Sequence, residues 1–149
     1  MTGRECRAKS GLYTTHTRPC PIHCILYISD MAPDESALCV PDILKVARKA
    51  NQDFQITGVL LFDGEHFIQY IEGPPEAIHQ LMDNIRGDAR HQQVEVLVDA
   101  PLQGLRRFAD WRMGYVYRED GSIHNRLKQA NAEQALQQFA EDIADCDLL

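Results

Sequence analysis

Residues 56–73, ITGVLLFDGEHFIQYIEG, place a primary amide where apolar side chains gather. The second half of this stretch alternates. His66, Ile68, Tyr70 and Glu72 share one face of an extended strand, and Phe67, Gln69 and Ile71 share the other. Phe67 and Ile71 direct their face to the core, so Gln69 goes with them. A buried amide is costly unless its donors and its acceptor find partners. The partner is either another core side chain or a polar ligand. Taken alone, Tyr27 in IHCILYIS is a strand tyrosine with its hydroxyl at the surface. Asn51, at the end of a helical period, reads alone as a helix C-cap, because asparagine tolerates the left-handed conformation.

Other candidate chemistry is weaker. Cys20-Pro-Ile-His-Cys24 offers three metal-ligand types in five residues, but no second half-motif follows, so these are read as free thiols near a strand start. Five cysteines at irregular spacing do not make a disulfide framework. Ser29, Cys39 and the scattered histidines form no nucleophile–base set, and the chain is read as a non-enzyme.

The elements that position these residues follow from period and punctuation. An apolar strand covers residues 22–29, and a helix runs to about Asn51 through Leu38, Val40, Ile43, Leu44, Val46 and Ala47. Ser36 is the candidate cap, with Pro41 suited to a first turn. Asp63-Gly64 turns a hairpin with strands near 55–62 and 66–72. Pro74-Pro75 opens a second helix whose stripe is Ala77, Ile78, Leu81, Met82 and Ile85, ending at Gly87. Strands follow at 94–98 and 111–117, joined by a loop carrying Arg106-Arg107. The order β-α-β-β-α-β-β predicts an α+β ferredoxin-like sandwich with a C-terminal helical extension. Residues 1–21 read as a flexible extension, 22–118 as the domain, and 119–149 as the helical tail. Leu136, Phe139 and Ile143 of that tail are candidates to dock on the sheet and sense Trp111 and Met113.

Composition narrows the function classes. A chain of 149 residues with 44% hydrophobic and 25% charged residues is ordinary for one globular domain. Fifteen Lys and Arg against 22 Asp and Glu give a net charge of −7, which argues against phosphate-backbone binding and hence against nucleic acid as a partner. No apolar run approaches the roughly 20 residues of a bilayer span, and no apolar segment follows Arg4, Arg7 and Lys9 as a secretory signal requires. A cytoplasmic location without membrane partners is expected.

Several motifs in order resemble one family. They are Tyr27-Ile28-Ser29, Asn51, Ile56-Thr57-Gly58, the run from Phe67 to Gly73, Asp88-Ala89-Arg90-His91, and the run from Arg106 to Met113. Together, over roughly residues 24–117, they resemble a BLUF domain, a blue-light sensor that uses flavin. The resemblance implies FAD bound non-covalently between the two helices, with Ile43 and Ile85 as candidate walls and Asn51 at the pyrimidine edge. Arg90 and His91 would lie near the flavin and its ribityl-phosphate side. Apart from the resemblance, Ile43 and Ile85 are ordinary core residues, and nothing in the residues themselves separates FAD from FMN. The resemblance also implies that light drives an electron and a proton from Tyr27, and that Gln69 then rearranges. Met113 would be a near-flavin residue and Trp111 a signal relay; two positions apart, they would share one side of the last strand.

Departures from the family pattern occur at Ala50, where many relatives carry His or Arg, and at Ala47, where some carry Ser. These bear on ring coverage and dark recovery. With no effector domain read in the chain, output is expected to pass to an unidentified protein partner and through a homo-oligomer. The competing reading is a flavin- or ligand-binding module without a photocycle.

Overall fold

A computed structural model describes residues 21–144. The expected extension 1–21 therefore lies outside the described residues but for Pro21, as do Cys6, Cys20 and Cys146. Five strands are present: β1 (His23–Met31), β2 (Thr57–Phe62), β3 (His66–Gly73), β4 (His91–Pro101) and β5 (Gly114–Tyr117). The helices are α1 (Val40–Phe54), α2 (Pro75–Arg86), α3 (Ser122–Gln129) and α4 (Ala132–Ala144). The sheet order is β4-β1-β3-β2-β5. Every pairing is antiparallel except β2 with β5, which is parallel. The first four strands with α1 and α2 form the expected ferredoxin-like sandwich, and β5 widens one edge.

Local chemistry explains the element ends. The β2–β3 turn places Gly64 at φ 106°, and the Asp63 carboxylate accepts the Glu65 and His66 amides at 2.9 and 2.7 Å. Ser36 caps a short 3-10 turn at Ala37–Cys39 rather than α1, which starts at Val40 with Pro41 in its first turn. Gln55, at φ 60°, takes the left-handed position after α1, so Asn51 is not the C-cap. Gly58 is obligatory: a Cβ there would sit 2.0 Å from the Tyr70 carbonyl oxygen.

Three elements differ from the sequence reading. β4 runs longer than 94–98, with a register shift opposite Ile28 and Asp30 where Gln93 adopts φ 56°. β5 starts at Gly114 instead of Trp111, because the backbone of 111–113 is held by α1 and β2. The helical tail breaks at Ala130, whose backbone is extended, giving two helices in place of one.

The sheet has two buried faces. On one, Ile25, Tyr27, Leu60, Phe62, Phe67 and Ile71 pack against Val40 and Leu44 of α1 and Ile78 and Met82 of α2. On the other, Leu26, Ile28, Val59, Leu61, Ile68 and Tyr70 pack against Ile123 and Leu127 of α3 and Ala135, Phe139 and Ile143 of α4. Full burial of each such side chain contributes about 1.5–3 kcal/mol relative to exposure, so α3 and α4 are an integral cover of the sheet. No helix among the described residues is long and apolar enough to cross a membrane.

Candidate functional site

The antiparallel register of β1 and β3 sets Tyr27 opposite Gln69 on the face covered by α1 and α2. Both are buried, and the Tyr27 hydroxyl donates to Gln69 Oε1. Burial, with a smaller contribution from the Asp88 charge, pushes the Tyr27 phenol far above its usual range and keeps it protonated. The other end of the amide is held weakly: Gln69 Nε2 donates to Met113 Sδ at 3.2 Å, and a thioether is a poor acceptor. The Gln69 amide is thus strongly anchored on its oxygen and loosely on its nitrogen.

Met113 reaches Gln69 because the three carbonyls of 111–113 are each fixed. The Gly58 amide donates to Trp111 O at 2.9 Å, Asn51 Nδ2 to Arg112 O at 2.6 Å, and Arg48 Nε to Met113 O at 3.0 Å. Met113 is buried while Trp111 is 37% exposed. The expectation that the two share one side of a strand fails, because this lead-in is not strand and carries no two-residue alternation.

Asn51 is fully buried, yet its Oδ1 has no hydrogen-bond partner. Leaving a buried acceptor unmet costs about 1–3 kcal/mol. Asn51 also lines a cavity of about 260 Å³ between α1 and α2. Ala50, Phe54 and Ile56 wall one side of it, and Ala77 and Leu81 the other. Apolar walls with one unmet polar atom suit a flat ligand that has a polar edge, as a flavin ring does. Ile43 and Ile85 are half-buried against the same core cluster, outside the lining of this cavity.

His91 sits behind Tyr27. Its Nδ1 lies 2.9 Å from Ser29 Oγ, and its ring centroid is 4.7 Å from that of Phe67 and 6.3 Å from that of Tyr27. Burial pushes the imidazole below its usual value, partly offset by Asp88. Arg90 grips the Asp88 carboxylate, with Nη2 2.8 Å from Oδ2 and Nε 3.1 Å from Oδ1, which lowers the Asp88 pKa. Its guanidinium is therefore engaged within its own loop.

Glu72 lies on the strand face expected from the alternation, shared with Ile68 and Tyr70, and has a structural role there. It is fully buried and accepts from the Tyr70 hydroxyl at 2.9 Å, Thr57 Oγ1 at 3.3 Å, and the Arg107 and Phe108 amides at 2.9 and 2.7 Å. This pins the loop before Met113 to the central hairpin. Tyr70 also packs edge-on against Phe108, 5.5 Å between centroids, and lies 6.3 Å from Phe139 of α4. The signal that found Gln69, a polar residue alternating with apolar ones, applied to Glu72 as well. The tail, by contrast, docks on the face opposite Met113, so Phe139 and Ile143, with Leu136 partly buried beside them, do not touch the proposed relay pair. Cys24 is buried and free, as the sequence reading expects, and Cys20 lies outside the described residues.

A ferredoxin-like sandwich with a buried phenol–amide–thioether chain and an apolar cleft between its two helices defines a small ligand-binding domain. The sequence pattern described as "BLUF: Sensors of blue-light using FAD" matches residues 22–114, and the chain belongs to this family, with FAD as its cofactor and blue light as its stimulus. The "Blue light- and temperature-regulated antirepressor BluF" of Escherichia coli (strain K12) is 36% identical over 76 residues, 50% of this chain and 19% of that protein. The "Photoactivated adenylate cyclase subunit beta" of Euglena longa is 35% identical over 89 residues, 60% of this chain and 10% of that protein. The chain thus spans only a small part of these curated relatives. Among solved structures, "BlrB - a BLUF protein, dark state structure" is 30% identical with a TM-score of 0.71, covering 83% of this chain and 96% of that one. "BlsA photo-activated state" is 25% identical with a TM-score of 0.74, covering 86% and 98%.

Proposed function

We propose that the Tyr27–Gln69–Met113 chain is the photochemical switch of this sensor. The observation that carries the reading is the Gln69 amide, fixed by Tyr27 at its oxygen and held only by a thioether at its nitrogen. FAD, when bound, supplies blue-light absorption and an excited state able to accept an electron and a proton. Asn51, whose Oδ1 is unmet, would meet its polar edge, with Ala50, Phe54, Ile56 and Leu81 as apolar walls. Ile43 and Ile85 lie outside that lining and pack in the core beside it, and Arg90 is held by Asp88, so neither the walls nor the diphosphate contact rests on them.

In this reading, Tyr27 Oη is the source of the electron and proton. Its oxidation removes the donor that fixes Gln69 Oε1, and the electron and proton return to Tyr27 once the amide has rearranged. The amide then rotates or tautomerises, reversing which end donates and which accepts. Each hydrogen bond exchanged is worth about 0.5–1.5 kcal/mol net, enough to bias a two-state element without unfolding the domain. Met113 loses or changes its contact with Gln69 Nε2, and the lead-in 111–113 feels the change first.

From there, the packing offers a route to the opposite face. Arg107 and Phe108 are tied to Glu72, Glu72 to Tyr70, and Tyr70 to Phe139 of α4. Exposed Val46 and Phe54 on α1, with Trp111 beside the switch, supply surface for a homo-oligomer or a downstream protein partner. We propose a cytoplasmic location for the protein, and read it as a sensor rather than a catalyst. Ser29 and His91 do pair, but Ser29 is fully buried and unavailable as a nucleophile.

The test is Gln69→Leu in FAD-loaded protein. The flavin band should persist while the light-induced red shift disappears. A normal shift in that variant overturns the assignment. A shift absent from the unsubstituted protein as well would favour a flavin-binding module without a photocycle.

A further inference from the structure

On the sheet face covered by α3 and α4, three side chains from three elements converge. They are Asp30 near the end of β1, His66 at the start of β3 and His124 in the first turn of α3. Asp30 Oδ1 lies 3.8 Å from both His66 Nε2 and His124 Nε2. The two imidazoles stack with centroids 3.9 Å apart and 18° between their planes. One ligand-type atom from each residue lies within 4.8 Å of the other two. At 3.8 Å neither histidine hydrogen-bonds Asp30, so the carboxylate and the two ring nitrogens lie close together without satisfying one another.

The surroundings are those of a ligand set. His66 Nδ1 lies 2.9 Å from Asp63 Oδ2, and Asp63 is held in turn by the Glu65 and His66 amides. A carboxylate on the far ring nitrogen fixes the tautomer that leaves the Nε2 lone pair free for a metal. His124 is 7% exposed and stacks its ring on that of His66. Asp30 has a 37% exposed side chain and leaves a way in from solvent. Ligands at about 2.0–2.1 Å in tetrahedral geometry stand roughly 3.3 Å apart, a contraction that side-chain rotation supplies. Two imidazoles and one carboxylate suit zinc and its first-row neighbours and do not suit calcium or magnesium, which take oxygen ligands.

We propose that Asp30, His66 and His124 bind one divalent transition-metal ion, which ties α3 to the ends of β1 and β3. A fourth position stays open to water. The site is independent of the flavin cleft and lies on the element that covers the opposite face of the sheet. A second cluster, His23, His79 and Asp99, differs in kind. Both of its histidines already contact the same exposed Asp99 oxygen, so its atoms satisfy one another.

Zinc titrated calorimetrically into the FAD-loaded full chain tests the proposal, with His66→Gln and His124→Gln as loss variants and His79→Ala as control. The unsubstituted chain and His79→Ala should bind one equivalent more than either loss variant, or bind it roughly tenfold or more tightly. Saturating zinc should raise the unfolding temperature of the first pair further than that of the second. Cobalt(II) should show d–d absorption that both loss variants lack. Equal stoichiometry and affinity in the unsubstituted chain and in folded loss variants, judged by the flavin band and circular dichroism, overturns the site. Should His124→Gln fail to fold, Asp30→Asn replaces it, under the same criteria.

Discussion

Replacing Glu72 by glutamine preserves shape and removes one acceptor end. In the structure, Oε1 accepts from the Tyr70 hydroxyl and the Arg107 amide, and Oε2 from Thr57 Oγ1 and the Phe108 amide. A glutamine presents one oxygen and one NH2. The two hydroxyls can turn to accept from the NH2, but a backbone N–H cannot. Whichever way the amide points, one buried backbone donor meets another donor. That conflict costs about 1–3 kcal/mol, and losing the charge weakens the remaining bonds by about 1 kcal/mol more. The Glu72→Gln variant should therefore be about 2–4 kcal/mol less stable. For a chain of this size that lowers the midpoint by roughly 5–15 °C. Equilibrium urea unfolding of the FAD-loaded protein in the dark measures it. Tyr70→Phe removes one donor and leaves the carboxylate, so its loss should be smaller. A Glu72→Gln loss under about 1 kcal/mol at unchanged m-value would refute the reasoning.

Asn51→Ala deletes the unmet cleft acceptor and the bond to Arg112 O. FAD affinity, followed by flavin fluorescence, should fall roughly tenfold per hydrogen bond of about 1.4 kcal/mol, and unchanged affinity would contradict the cleft assignment. His91 is held below its free value of 6.5 chiefly by burial, with Asp88 raising it and Arg90 lowering it. Protonation therefore favours the unfolded chain. The stability His91 contributes is complete above pH 6.5 and is lost as pH falls through the folded value. Between pH 7 and 5 the unsubstituted protein should lose stability more steeply than His91→Gln, by up to about 1.4 kcal/mol per pH unit, and parallel slopes would contradict this. Phe139→Ala should cost about 3–5 kcal/mol by leaving a cavity against Tyr70, yet keep the spectral red shift because the switch lies across the sheet. Loss of the shift in folded Phe139→Ala protein would contradict that separation. Removing α3 and α4 altogether would uncover Leu26, Ile28, Ile68 and Tyr70, so a single substitution tests the separation more cleanly.

The hairpin, the two helices of the sandwich and the burial of Gln69 were legible because strand alternation and helical period are strong local signals. Proline in the first turns of α1 and α2 marked their starts well. What the sequence hid depends on long-range backbone partners. Trp111 and Met113 alternate only if their segment is a strand, and three hydrogen bonds from α1 and β2 prevent that. Arg90 carries the charge a diphosphate would attract, but Asp88, two residues earlier, claims it. The Asp30, His66 and His124 cluster draws on positions up to 94 residues apart, which no local spacing rule brings together. Glu72 alone lay within reach, on the same pattern that singled out Gln69.

The measurement closest to the central claim is the absorption spectrum of the purified, FAD-loaded chain before and after blue illumination. The expected result is a flavin band that moves slightly to the red on illumination and returns in darkness, with the oxidised band shape retained throughout. A flavin band that stays in place or only bleaches would contradict a switch built on Tyr27 and Gln69.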